Sequence, residues 1–276
     1  MKKIVLSVLV FCTVALAQPL TLPIALQSLG QSASVDWDNN TIIATGKSIV
    51  PADKTQAQTE LLGAQGARAD ALRILAVAIT ALPITSSRTL QDCQGDQKLN
   101  IDALIRGATA VPNSIVISLQ ADGSRIVSSA MQAPIYGQNG LYQLAKQLIQ
   151  SCQEATARVP IVAGSSSPPY TGLIVDARGL AYSPCVSVRI LSLAGSTVWN
   201  STLALQDTIE PPLEFSRDMQ TALTKPRIGK SPMILQAIEA RGILGCDVVL
   251  SNQDLDLMRQ NRIELLLRQT KLVVVF

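Results

Sequence analysis

Residues 34–48 read SVDWDNNTIIATGKS and residues 55–82 read TQAQTELLGAQGARADALRILAVAITAL, and the change of pattern between them decides the fold. In the first stretch apolar and polar residues alternate on either side of Asp38, Asn39 and Asn40, the mark of a β-hairpin. Pro51 then breaks the strand. In the second stretch nearly every residue is a good helix former. Leu61, Ala64, Leu72, Leu75, Ile79 and Leu82 recur at three- and four-residue steps, so they define one buried face. Arg68 has the same phase and is expected to lay its aliphatic stem along the edge of that stripe. Pro83 ends the helix. A two-residue period followed by a 3.6-residue period predicts a sheet with a helix packed on it.

The same alternation of signals continues outward. A second hairpin is predicted over residues 114–132, with Asp122 and Gly123 at its turn. Residues 140–152 form an amphipathic helix on Leu141, Leu144, Ala145 and Leu148. The sequence AGSSSPP at 163–169 is the one clear break in composition; small, polar and Pro-rich, it reads as an interdomain linker. Beyond it we expect strands at 172–176, 247–250 and 272–276, a hairpin from 186–191 to 197–199 across Ala194 and Gly195, and helices at 232–240 and 254–268. The fold class is therefore α/β of the α+β type. It comprises two small domains, 18–162 and 170–276, each a mixed or antiparallel sheet with helices packed on it, expected to fold independently about the 163–169 linker.

Residues 1–17 carry an address. Lys2 and Lys3 give a positive start, an apolar run follows, and Ala15, Leu16 and Ala17 form a small-x-small cleavage site. The run is shorter than the ~20 residues of a spanning helix, so it reads as a secretory signal peptide with Gln18 as the mature terminus. Cys12 follows bulky Phe11 where a lipid-accepting cysteine wants a small residue. The mature chain is thus expected to be exported without lipid or transmembrane span, to the periplasm or surface of a bacterium.

Composition excludes several functions. Without Lys2 and Lys3 the chain holds 21 basic and 20 acidic residues, so no long-range field attracts nucleic acid. Aromatics are scarce, which argues against stacking grooves for sugars or single strands. Histidine is absent. That removes Ser-His-Asp and Cys-His catalysis and His-ligated zinc, leaving carboxylates, Lys, Tyr or a Ser-Lys pair, and the Ser-x-x-Lys spacing does not occur. Cys93, Cys152, Cys185 and Cys246 remain after processing. An even number in an exported chain reads as two disulfides with three possible connectivities. Two fall in each half, so Cys93 with Cys152 and Cys185 with Cys246 is the preferred pairing, free thiols being the alternative. No CxxC spacing is present, and neither metal nor cofactor is expected.

Motif-like strings mostly have plain explanations. Gly46-Lys47-Ser48 and Gly229-Lys230-Ser231 look like the end of a phosphate loop, but Thr41 and Thr224 stand where its first Gly belongs. Asp36, Asp38 and Asn40 resemble half a calcium loop, yet Thr41 replaces its turn Gly and Lys47 its bidentate Glu. Asp176 and Arg178 follow a buried strand, where α/β domains place binding groups. Asp247 and Asp254 flank another strand, with Asn252 between them. Paired carboxylates carry acid–base chemistry when their strands are neighbours; the alternative is Asp–Arg pairing and helix capping. Asp176, Arg178 and Asn252 are the candidate contact patch, and no residue is assigned a catalytic role.

Ala44-Thr45-Gly46, followed by the Ala-, Arg- and Asp-rich helix around residues 64–75 and the later Asp122-Gly123 turn, resembles the amino-terminal domain of the flagellar assembly protein T and related small surface lipoproteins. The similarity covers roughly residues 35–152. The second half, through YTGLIVDARG at 170–179 and residues 240–252, is similar to a domain found behind it in exported proteins of unknown chemistry. The resemblance implies an exported α/β scaffold that assembles with other cell-envelope proteins, with self-assembly as a further option. Two function classes follow: a non-catalytic envelope binding or assembly component, and, alternatively, a carboxylate-dependent hydrolase of cell-wall polymer.

Overall fold

A computed structural model describes residues 26–28, 32–94, 105, 107–152, 168–201 and 210–276. The signal-peptide reading of 1–17 and most of the 163–169 linker lie outside these residues. The first half builds one antiparallel sheet from β1 (Leu26–Ser28), β2 (Ala33–Asp36), β3 (Thr41–Val50), β4 (Thr109–Ala110), β5 (Val116–Leu119) and β6 (Arg125–Pro134). Its order is β1-β2-β3-β6-β4, with β5 pairing β6 beyond β4. The long helix α1 (Gln56–Thr80) lies across β3 and β6, starting at a capping box in which Thr55 and Gln58 each bond the other's backbone.

The face that α1 buries holds Ala64, Leu75 and Ile79 of the predicted stripe, with Leu82 just beyond its end, but not Leu61. Gly63, Ala64, Ala67 and Ala71 point into the sheet, whereas Leu61 is 61% exposed. Contact distance is the reason. A Cβ added to Gly46 of β3 would sit 2.1 Å from the Ala71 nitrogen and 2.3 Å from the Ala67 carbonyl oxygen, so the two backbones touch. Only small residues fit such an approach, and leucine is turned outward; the stripe becomes large-residued at Leu75 and Ile79, farther along the helix. Helices α2 (Leu90–Gln94) and α3 (Leu141–Ser151) complete this half, and a disulfide joins Cys93 in α2 to Cys152 at the end of α3. In α3 Leu141, Ala145 and Leu148 are buried as read from the sequence, while Leu144 is exposed.

The second half divides its strands over two sheets. β7 (Leu173–Asp176), β10 (Glu214–Ser216), β11 (Met233–Gln236) and β14 (Leu272–Val275) form a wholly parallel sheet in the order β10-β14-β7-β11. β8 (Arg189–Leu191), β9 (Thr197–Asn200), β12 (Glu239–Arg241) and β13 (Asp247–Val249) form a mixed one in the order β12-β13-β8-β9. Helices α4 (Met219–Thr224), α5 (Asn252–Gln260) and α6 (Ile263–Arg268) accompany them, and a disulfide joins Cys185 to Cys246.

The helix expected at 232–240 is instead β11 and β12. Met233 and Leu235 are buried while Ile234 and Gln236 face out, a two-residue period confined to a stretch too short for a stable helix. The helix expected at 254–268 is split, because Arg262 takes a left-handed conformation (φ 55°) between α5 and α6.

The halves do not pack as separate bodies. One continuous hydrophobic core runs from Val35, Trp37 and Ile79 to Val186, Phe215 and Val274. The Trp37 and Phe215 rings meet edge to face at 5.2 Å. The Val186 and Ser187 N–H groups donate to the carbonyls of Pro83 and Ile84 at 3.1 and 2.8 Å, and Leu244 N–H donates to Ser86 at 2.7 Å. The segment after α1 is thereby fastened to the second half by backbone bonds.

Candidate functional site

The parallel sheet presents the carboxyl ends of its strands together, the place where α/β sheets bind ligands. Asp176 ends β7, where its side chain is buried and forms a bidentate pair with Arg178: Nε donates to Oδ1 at 2.9 Å and Nη2 to Oδ2 at 2.6 Å. The Arg178 N–H adds a third bond at 3.1 Å. These bonds hold the Asp176 carboxyl below the usual carboxylate range. The Arg178 side chain is 48% exposed, so the guanidinium stands at the surface while its partner is fixed beneath. Beside it, past the end of β10, the Arg217 guanidinium lies 4.3 Å over the Phe276 ring, and Asp218 caps α4 by accepting from Thr221.

Two residues connect this edge to the second strand end singled out in the sequence. Ala237 N–H donates to the Asp176 carbonyl at 2.8 Å, and Ile238 N–H donates to that of Val249 at 2.9 Å. β7 and β13 thus point their carboxyl ends at one bend between β11 and β12, which brings Asp176 and the Ser251–Asn252 corner to its two sides. Asn252 is exposed at the first position of α5. Ser251 is the actual cap, accepting from Asp254 N–H at 3.0 Å and donating to Asp254 Oδ2 at 2.6 Å.

Asp247 is not at this surface. It is buried at the start of β13, where it accepts from the Arg189 backbone at 3.1 Å and from Arg189 Nε at 3.0 Å, and Arg189 Nη2 also reaches Ser86 Oγ at 3.1 Å. Each carboxylate of the hydrolase reading is therefore committed: Asp176 to Arg178, Asp247 to Arg189, and Asp254 to its own helix cap. β7 and β13 also belong to different sheets. Burial raises the Tyr136 and Tyr182 hydroxyls well above their ordinary value and pushes Tyr142 up to about 12, which keeps all three protonated at neutral pH.

The other motif-like strings are structural. Asp36 Oδ1 accepts from the N–H groups of Asp38 and Asn39 at 3.0 and 3.1 Å, an Asx turn closing the hairpin. Gly46 serves the helix contact already described. Gly229 (φ 68°) turns the chain against Thr171, whose hydroxyl donates to the Ile228 carbonyl and accepts from Ser231 N–H. Among the described residues no group of three or more His, Cys, Asp and Glu is placed to hold a metal, and no helix is long and apolar enough to cross a membrane.

Arg189 and Arg217 were not anticipated. The signal for Arg189 was present, a lone arginine inside the apolar run VSVRIL at 186–191, which requires a buried partner. Nothing in the sequence pairs Arg217 with Phe276, because that contact joins the ends of two strands 59 residues apart.

Residues 172–276 match the family model of the second domain of Treponema pallidum Tp0624. No curated protein matches the chain.

Proposed function

We propose that this protein is an exported, non-catalytic component of the bacterial cell envelope that works by binding other envelope proteins, with its two domains meeting at residues 163–169. The observation that carries this reading is the state of the candidate carboxylates. A hydrolase needs one carboxyl protonated and one free to act on water or sugar. Here Asp176 and Asp247 are neutralised by arginines and Asp254 is spent on a cap, so no acid–base pair is left among them. The signal-peptide pattern and the two disulfides, Cys93 with Cys152 and Cys185 with Cys246, support export. The similarity of residues 35–152 to the flagellar assembly protein T amino-terminal domain supports an assembly role.

The contact patch we assign is Asp176, Arg178 and Asn252. Arg178 offers a planar guanidinium whose inner edge is fixed by Asp176 and whose outer part is open, an arrangement suited to a carboxylate of a partner. Cross-linking in intact envelopes should give adducts with the wild-type protein that weaken in Arg178→Ala and Asp176→Ala. Adducts unchanged in both variants would remove the patch. Hydrolysis of peptidoglycan by the purified protein, abolished in Asp176→Asn, would replace the binding reading with the hydrolase.

A further inference from the structure

Arg68, which the sequence places at the edge of the α1 stripe, is exposed and makes no ion pair or hydrogen bond among the described residues. The residues three and four positions away on the helix, Ala64, Gln65, Ala71 and Leu72, carry no charge. Asp70, the nearest acid in the sequence, is taken up by Arg73 at 2.9 Å and by the Lys47 N–H at 3.0 Å. The Arg68 guanidinium is therefore open to an anion from outside the chain.

Opposite Arg68 the edge of the antiparallel sheet is interrupted by a turn. β6 is paired first by β4 and then by β5, and between those two ladders a turn takes both backbone groups of Ala130. The Ala130 carbonyl accepts from Val111 N–H and its N–H donates to Ser114 Oγ, each at 3.0 Å. Pro112 and Asn113 lie between these anchors, Asn113 in a left-handed conformation (φ 55°). The N–H groups of Asn113, Ser114 and Ile115 make no hydrogen bond among the described residues. Successive free N–H groups in a turn are the elements of an anion-binding concavity. Arg68, Ala110 and residues 111–115 together line a cleft of about 440 Å³, and none of them is acidic. That volume is near the small end of the roughly 300–1,000 Å³ of small-ligand sites, room for a chain end and not for a folded surface.

We propose that this cleft binds the carboxy-terminal end of a short aliphatic peptide. Charge and shape select the carboxylate: one guanidinium supplies a single positive charge and a planar fork of donors, the match of one carboxylate. The free N–H groups of residues 113–115 supply donors for its remaining lone pairs, the mode in which backbone concavities capture chain termini. Val111, Pro112 and Ile115, the last 44% exposed, offer apolar cover to the side chains beside that carboxylate. A phosphate fits less well, because it carries more charge than Arg68 balances and leaves the apolar wall uncovered. The turn is held at both ends by Ala130, so the cleft stands before the ligand arrives and little is ordered on binding. The cleft shares no residue with the Asp176 patch, and the two stand or fall separately.

Amide NMR of the mature chain titrated with acetyl-Val-Ala-Val, free at its carboxyl end, tests the proposal. The signals of Asn113, Ser114 and Ile115 are expected to shift. Affinity should fall at least about tenfold when the peptide is amidated and in Arg68→Gln, and should also fall in Ile115→Ser. Both substituted side chains are exposed, and thermal melts of the variants separate a lost site from a lost fold. No shift at millimolar peptide would overturn the proposal, as would equal binding of acid and amide or unchanged affinity in Arg68→Gln. Two further results would also overturn it. Inorganic phosphate bound as tightly as the peptide would make the cleft a general anion site, and binding lost in Arg178→Ala but kept in Arg68→Gln would place the carboxylate at the other arginine.

Discussion

At the scale of single residues, the ion pair between Arg189 and Asp247 shows how a charge is kept inside an aliphatic core. Both are buried, and both Asp247 oxygens are bonded, one to the Arg189 backbone and the other to its guanidinium. Removing one partner of such a pair leaves a charge with no water and no counter-ion. Asp247→Ala is expected to cost about 3–5 kcal/mol, read by chemical denaturation. Joint replacement by Arg189→Met and Asp247→Leu is expected to recover most of the loss, since a packed apolar pair needs no solvation. A single-variant loss below ~1 kcal/mol would mean that water reaches the site. From sequence alone Asp247 is a carboxylate flanking a strand, open to an acid–base pair or to pairing with an arginine that the sequence does not name. The pairing was hidden because its partner is 58 residues away on a neighbouring strand.

At the scale of elements, α1 is legible in its ends, its length and most of its buried face, Ala64, Leu75, Ile79 and Leu82; the exception is Leu61 in its first turns. Thr55 and Gln58 announce the start, and the helix-forming run fixes the extent. Leu61 has the phase of the buried stripe, but in the first half of the helix backbone contact with β3 reserves that face for Gly and Ala, and large side chains enter it only from Leu75 onward. Gly46 is the strand's share of the contact. Gly46→Ala places a methyl group within 2.3 Å of helix backbone, and the helix must be pushed away from the sheet. The expected cost is at least the roughly 1–3 kcal/mol typical of overpacking, seen as a lower melting temperature. An unchanged melting temperature would show that α1 shifts freely over β3. β11 was misread for a related reason. MILQAIEA at 233–240 has the composition of a helix, and the decisive fact, a parallel partner in β7, comes from residues 60 positions earlier. Short apolar runs do not declare their period until the neighbour is known.

At the scale of the molecule, the sequence divides the chain well and couples its halves poorly. The Ser- and Pro-rich stretch at 163–169 and the even split of cysteines both suggest two bodies, and each disulfide does stay within one half. The coupling lies in residues whose sequence gives no hint of it: Pro83, Ile84 and Ser86 after the long helix, and Trp37 beside the first hairpin turn. Their partners are Val186, Ser187, Leu244 and Phe215 in the second half. Ion pairs extend the same seam, with Lys225 between Glu214 at 3.1 Å and Asp38 at 4.0 Å. Unfolding one half alone would strip a shared core and leave these backbone groups unpaired, so the halves should unfold together. Calorimetry of the oxidised protein is expected to give one transition whose van't Hoff and calorimetric enthalpies agree. Residues 170–276 produced alone should bind a hydrophobic dye that the whole chain does not, because Val186 and Phe215 lose their cover. Two resolved transitions, together with a carboxy-terminal half that is folded and dye-silent by itself, would show that the linker governs the architecture and that the seam is only a resting contact.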